Sequence, residues 1–260
     1  MQLASRAVRE KYLRLITMLY KLQETRVHLF GTMHLVPVGQ EKWKDAVRRA
    51  FEAAEVRYME MHQSKARDLF TGDAISSSLM PADLFSVMAE YWPRTGLPPL
   101  ETCNLPGVWL VAGNMGVTLT HGVEPHLTEW YGESSMLELE TPDELLKAFS
   151  TVPLQDWVSA LRKRIPNAAG AQRDLEAFYN AWRRQDTQAL LRLMRRDLTK
   201  AMYEALYTRR NIAWAEKIAN EAKSGKHVVF FCGCGHLCGN DSLLEILHRD
   251  HGLDATREKQ

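Results

Sequence analysis

Hydrophobic positions fall along this chain in two rhythms, and the switches between them mark out its elements. Val8, Tyr12, Leu15, Ile16 and Leu19 recur at helical spacing with Arg6, Arg9, Lys11 and Arg14 between them, so residues 1–22 read as a basic amphipathic helix. Arg26–Phe30 is a short apolar-rich run ending at Gly31, the mark of a strand. Beyond a loop with Pro37 and Gly39, Trp43, Ala46, Val47, Ala50, Phe51 and Ala54 share one helical face, and Val56–Met61 reads as a second strand. Strand, helix, strand predicts a βαβ unit, with a parallel pair joined by a right-handed crossover.

The middle changes character. Pro81–Tyr91 reads as a helix, Pro93–Pro99 as a loop, Leu105–Leu119 as a partly helical apolar stretch broken by Gly113 and Gly116, and Met136–Leu139 as a short strand. From Pro142 to about Ala222 the pattern is helical and charged, interrupted at Pro153, Pro166 and Gly170. That predicts several helices forming a lid-like cover over residues 142–222. His227–Phe231 is then a buried strand running into Cys232-Gly-Cys-Gly-His236. Asn240, Asp241 and Ser242 offer N-cap oxygens to a last helix, which Gly252 closes. The sum is one α/β domain over residues 23–260, with a central mixed, largely parallel sheet and a mostly helical middle.

Composition narrows the functional classes. A chain of 260 residues with 45% hydrophobic and 25% charged positions is ordinary for a globular protein. Its net charge of +1 provides no basic field for nucleic acid. No run approaches the roughly 18 apolar residues of a membrane span. The first helix is followed by no apolar segment with a small-residue cleavage site, so it does not read as a signal peptide. Three of the four cysteines crowd together at Cys232, Cys234 and Cys238. That is no secreted disulfide framework, and cytoplasm is the expected compartment. The first helix is expected to pack on the domain or on a second copy in a homodimer, with a membrane surface as the alternative.

Two strand ends carry the candidate chemistry. Gly31-Thr-Met-His34 and Gly233-Cys-Gly-His236 each follow an apolar strand and precede a loop and a helix. With 15 glycines and 9 histidines, about half a Gly-x-x-His match is expected by chance, so position carries more weight than pattern. In an open α/β sheet, ligands bind beyond the carboxyl ends of parallel strands, and imidazoles placed there can hold a metal or move a proton. Glu60 ends the second strand at the same expected rim. Gly122-Val-Glu-Pro-His126 adds Glu124 and His126. Asn211, Trp214 and Ile218 share a helical face, which would turn a polar amide inward beside Arg210. The cysteine cluster reads as small buried side chains around a tight turn, with zinc as the lesser reading because a second Cys-x-x-Cys half is missing.

Taken in order, these segments resemble the TraB/GumN/TIKI family. The resemblance rests on Phe30-Gly-Thr-Met-His34, Glu60, Gly122-Val-Glu-Pro-His126, Leu139-Glu-Thr-Pro-Asp-Glu-Leu145, Arg210-Asn211 with Trp214, and Gly233-Cys-Gly-His236, and it covers about residues 26 to 257. Trp182-Arg-Arg-Gln-Asp186 is similar to a family Trp-x-x-Gly-Asp element, with Gln185 in place of glycine. The resemblance implies a fold like the erythromycin-esterase and ChaN-like group, built from two related half-repeats whose Gly-x-x-His turns face one another. It also implies divalent-metal-dependent hydrolysis of peptide bonds. Carried over by position, His34, His236 and Glu60 are the expected ligands of an ion of the Mn, Co or Zn class. Glu60, Arg210 and Asn211 are the expected catalytic or lining residues. His126, Glu124 and Glu140 are additional site candidates, and Glu140 has no assigned role. The expected substrate is a peptide or small molecule. The alternative is a non-catalytic haem- or peptide-binding protein in which His34 or His126 is an axial ligand.

Overall fold

The computed structural model describes residues 18–40, 43–70, 76–165 and 168–257. Its strands are β1 (Leu19–Leu22), β2 (Val27–Thr32), β3 (Leu35–Pro37), β4 (Val56–Met59), β5 (Leu119–His121), β6 (Leu137–Glu138), β7 (Val228–Gly233) and β8 (Ala255–Arg257). The main sheet runs β6-β4-β7-β2-β1-β8, and β3 pairs with β5 apart from it. Strands β2, β7, β4 and β6 run parallel, while β1 is antiparallel to both β2 and β8. All six residues of β2 and all six of β7 are buried. Central parallel strands are covered on both faces, so their sequences read as continuous apolar runs rather than alternations.

Two sequence expectations need correction. The helix expected over residues 1–22 lies mostly outside the described residues, and Leu19–Leu22 at its end form a strand instead. Their apolar side chains are held in an antiparallel ladder between β2 and β8, and this tertiary pairing overrides the local helical spacing. The second concerns the βαβ unit. Strands β2 and β4 are parallel but not adjacent, because β7 inserts between them and pairs with both. A run as apolar as Val228-Val-Phe-Phe-Cys is best buried at the sheet centre, and a local pattern could not announce a strand from the far end of the chain.

The helices are α1 (Lys44–Phe51), α2 (Ser76–Leu79), α3 (Ala82–Tyr91), α4 (Leu105–Ala112), α5 (Val123–Tyr131), α6 (Pro142–Ser150), α7 (Leu154–Arg164), α8 (Ala168–Arg184), α9 (Thr187–Arg195), α10 (Lys200–Tyr203), α11 (Arg209–Ala222) and α12 (Leu243–His251). Their ends follow the chemistry of their caps. Thr141 and Glu144 form a reciprocal capping box on α6. Ser242 caps α12, and Gly252 ends it in the left-handed region at φ 66°. Buried side chains form two clusters. One joins the sheet to α1, α11 and α12 through residues such as Phe30, Phe51, Phe231, Trp214 and Ile246. The other lies among the helices around Met88, Val108, Phe149, Trp157 and Leu161. The 142–222 stretch supplies residues to both, Trp182 to the first and Trp157 to the second. No helix among the described residues is long and apolar enough to cross a membrane.

The junction after α8 shows what the departure at Gln185 does. Trp182 donates its indole N–H to the Gly31 carbonyl at 2.7 Å and so pins the first Gly-x-x-His turn. Asp186 caps α9. Between them, Gln185 sits at φ 55°, buried, with neither amide atom hydrogen-bonded. Left-handed backbone costs a non-glycine residue about 1–2 kcal/mol, and an unpaired buried amide costs about 1–3 kcal/mol more. Gln185→Gly is therefore expected to raise the free energy of unfolding by about 1–2 kcal/mol after the lost packing is subtracted. Urea titration measures this, and a lower midpoint in the variant would sink the account.

Candidate functional site

The carboxyl ends of β2, β7 and β4 open onto a cavity of about 640 Å³ that lies between the sheet rim and the helices. The first turn reaches it from β2. Its backbone is clasped by the start of α5, where Gly122 N–H donates to the His34 carbonyl and Val123 N–H to the Met33 carbonyl, each at 2.9 Å. A side chain at residue 122 would put its Cβ 1.8 Å from the Met33 carbonyl oxygen, so only glycine permits this clasp. The clasp delivers Glu124 to the site. The Thr32 hydroxyl donates to Glu124 Oε1, and His34 Nδ1 lies 3.1 Å from the same oxygen. Glu124 Oε2 is buried without a hydrogen bond.

The second turn reaches the cavity from β7. Its Cys234–Leu237 segment is a buried 3₁₀ turn. His236 Nδ1 faces Asn211 Oδ1 at 2.5 Å, and Asn211 Nδ2 donates to the Asp241 carbonyl at 2.6 Å. An amide oxygen only accepts, so Nδ1 carries the proton and Nε2 keeps the lone pair. Asn211 is thus inward on the face it shares with Trp214 and Ile218, all buried. A π-helical segment, Glu204–Thr208, precedes α11 and shifts its phase, so that Arg210 also turns inward.

Arg210 ties the rim together. Its Nε donates to Glu140 at 2.9 and 3.0 Å, Nη2 donates to Glu60 Oε2 at 2.9 Å and to Glu140, and Nη1 donates to the Leu206 carbonyl at 2.8 Å. Nη1 also lies 3.2 Å from His236 Nε2. Glu140 arrives by strand pairing, since its N–H donates to the Glu60 carbonyl beside Leu139 on Met59. Glu60 Oε1 accepts from Gly233 N–H at 2.5 Å and stands 3.8 Å from His236 Nε2. A Cβ at Gly233 would lie 3.1 Å from Glu60 Oε1 and 3.4 Å from His34 Nε2, so this glycine keeps open the point on which both converge.

The two imidazoles differ. The parallel register sets Thr32, not Gly31, opposite Gly233, so the turns are one residue out of step. The His34 side chain is 63% exposed and that of His236 is 3% exposed. The Glu124 carboxylate raises the His34 pKa to about 9. Burial and the neighbouring Arg210 lower that of His236 to about 3. Burial works against ionisation of Glu60, but Arg210, His236 and His34 outweigh it and bring its pKa to about 2. Burial pushes Glu140 up, against the pull of Arg210.

His34, Glu60, Glu124, Glu140, Arg210 and His236 all line the cavity, and Asn211 stands behind His236. His126 does not reach it. Its ring stacks on Trp130 at 5.5 Å beside Trp43, with Nδ1 against Glu129 and Nε2 buried, so it offers the cavity no axial nitrogen. All four cysteines are buried and unbridged, and burial holds the thiols of Cys232, Cys234 and Cys238 above their usual range. Among the described residues, no three His, Cys, Asp or Glu side chains are already gathered to hold an ion. The donor types nevertheless fit a divalent metal. Each imidazole has Nδ1 tied to an oxygen, and Nε2 of both with the Glu60 carboxylate would make a two-histidine, one-carboxylate set once His236 Nε2 gave up its contact with Arg210. Sequence reasoning missed Tyr207, whose half-buried ring packs on His236 at 5.0 Å, and Arg164 on the cavity wall. Neither belongs to a motif, and only the inward face of a helix could have flagged them.

The model of the TraB/PrgY/gumN family matches residues 16–257, and the chain belongs to that family. No curated protein and no solved structure matches significantly.

The His34–Glu124 pair makes a measurable difference to titration. In chelator-treated protein, imidazole NMR is expected to place the His34 pKa near 9, and Glu124→Gln should bring it towards 6.5. Because the folded value lies above the unfolded one, the pair's stabilisation is full below about pH 6.5 and is lost as pH rises through about 9. A His34 titration unmoved by Glu124→Gln would remove Glu124 as its cause.

Proposed function

We propose that this TraB/PrgY/gumN-family chain is a metal-dependent hydrolase that cleaves peptide bonds in the rim cavity, with His34 Nε2, His236 Nε2 and Glu60 as the ligands of an ion of the Mn, Co or Zn class. The observation that carries the reading is the paired arrangement of the histidines. Two imidazoles from separate turns each hold Nδ1 on an oxygen acceptor; His236 Nε2 stands 3.8 Å from Glu60 Oε1, and His34 Nε2 faces the same space over Gly233 as that carboxylate. Histidines that ligate metals recur in that arrangement, because the outer hydrogen bond fixes the tautomer and aims the free lone pair. When bound, the ion would supply a water of lowered pKa and a centre to polarise the carbonyl.

The remaining roles follow from the protein's own groups. A carboxylate with a pKa near 2 is a weak base, so Glu60 suits ligation better than proton abstraction. Asn211 is buried with both amide atoms engaged, which makes it a positioning residue for His236 rather than a group that touches substrate. Every N–H of Arg210 has a partner, and the contact to His236 Nε2 is the longest at 3.2 Å. Engagement of that nitrogen elsewhere would release one Arg210 N–H towards the cavity, where it could stabilise a developing oxyanion. Glu140 holds the guanidinium in place meanwhile.

Turnover of a mixed fluorogenic peptide pool, with and without added Mn²⁺, Co²⁺ or Zn²⁺, tests the reading. Activity is expected to require metal and to vanish in the His34→Ala, His236→Ala double variant. Asn211→Ala should weaken metal affinity about 10–100-fold, with activity recovering at saturating metal. Metal content and turnover that both survive the double variant would end the proposal.

A further inference from the structure

Arg164 is the cationic group of the cleft that the site does not use. It ends α7 in the run Arg162-Lys163-Arg164, where Arg162 reaches outward to Asp83 and Arg164 turns in. Its guanidinium lies over the Trp109 indole at 3.7 Å, and Nη1 donates to the Trp109 carbonyl at 3.1 Å. Among the described residues no carboxylate stands within ion-pair distance of it, so its other N–H donors face the cavity without an acceptor. Burial lowers its pKa to about 10, as expected of a cation without a close counter-charge.

Arg164 also borders a second compartment of about 310 Å³. Leu35, Trp109, Phe178, Met194 and Tyr207 line both spaces, so the two adjoin with Arg164 on the common wall. Asp174 and Asp197 share the second compartment, but Arg196 holds them, at 2.6 and 2.9 Å to Asp174 and 3.4 Å to Asp197. With both aspartates held by Arg196, Arg164 is the cation of this compartment that has no carboxylate at ion-pair distance. A multiply charged phosphate would meet both aspartates, whereas a carboxylate matches a guanidinium edge.

We propose that Arg164 anchors a carboxylate of the peptide substrate in this second compartment, while the preceding residues cross to the rim at His34 and Glu60. The proposal rests on the peptide reading above and names the feature that selects among peptides. The carboxylate is either the chain terminus or an acidic side chain.

Binding read by calorimetry on the purified full chain separates this claim from catalysis. The probes are acetyl-trialanine as free acid, its C-terminal amide, and acetyl-Ala-Asp-Ala amide, each recovered intact after the measurement. The acid is expected to bind about ten-fold or more tightly than the amide, as a charge-assisted bidentate contact requires. Arg164→Gln should erase that preference, and Arg164→Lys should keep part of it. Gly113→Ala gives a second route, because its methyl would stand 2.9 Å from Arg164 Nη1 and displace the guanidinium without removing it. It should reduce binding of the acid and leave that of the amide unchanged, and it decides the matter if Arg164→Gln fails to fold. Affinity recovered by acetyl-Ala-Asp-Ala amide identifies a side-chain carboxylate, and affinity confined to the free acid identifies the terminus. Equal binding of all three probes by the wild type, binding of none at millimolar concentration, or a carboxylate preference that survives these variants overturns the proposal. Turnover by the metal-loaded protein is a separate readout, so loss of one result does not imply loss of the other.

Discussion

The guanidinium of Arg210, held between Glu60 and Glu140, is the constraint on which the rim depends. It joins the ends of β4 and β6 to α11 and, through His236, to the turn that follows β7. Two carboxylates brought together in a buried place repel, and neither is tolerable there without a cation. Losing one partner from such a buried set costs about 3–5 kcal/mol, because the others are left without compensation. The polar rim is thus held by charge balance, beneath a sheet held by apolar burial. That division lets the rim keep ionised groups at fixed positions in a cavity walled by Phe149, Phe178 and Trp109.

Fold class and the site's membership were legible in the sequence to different depths and for different reasons. Strands β2 and β7 announced themselves because full burial needs unbroken apolar runs, and α12 because Ser242 and Gly252 mark its ends. The insertion of β7 between β2 and β4 was not legible, since pairing between residues about two hundred positions apart leaves no local period. Of the site, His34, Glu60 and His236 could be inferred from strand ends. Asn211 could be inferred from its place on an apolar helical face, although its task, the fixing of one tautomer, needed coordinates. Glu140 had a motif but no role until Arg210 was seen against it. His126 looked as good as Glu124 in sequence. Two residues along one helix, however, point about 200° apart, and only Glu124 faces the turn.

The two central turns, one residue out of step, present unlike halves of the site. His236 is buried, neutral and locked by Asn211, while His34 is exposed and drawn towards protonation by Glu124. Two Gly-x-x-His turns have therefore produced a fixed nitrogen and an exchangeable one. The difference comes from what meets each ring, Glu124 at His34, and burial with Arg210 and Asn211 at His236.

The π-helical segment before α11 makes chain length a determinant of chemistry. A π turn is one surplus residue accommodated in a helix, and each residue of an α-helix advances the face by about 100°. Removing any one residue from Glu204–Thr208 would restore regular winding and swing the segment before Arg210 out of phase with the residues after it. Tyr207 and the Leu206 carbonyl would then leave the ring and guanidinium they now meet. Over this stretch a side chain of like volume leaves the backbone phase as it is, whereas an insertion or deletion of one residue turns the two sides of the segment against each other.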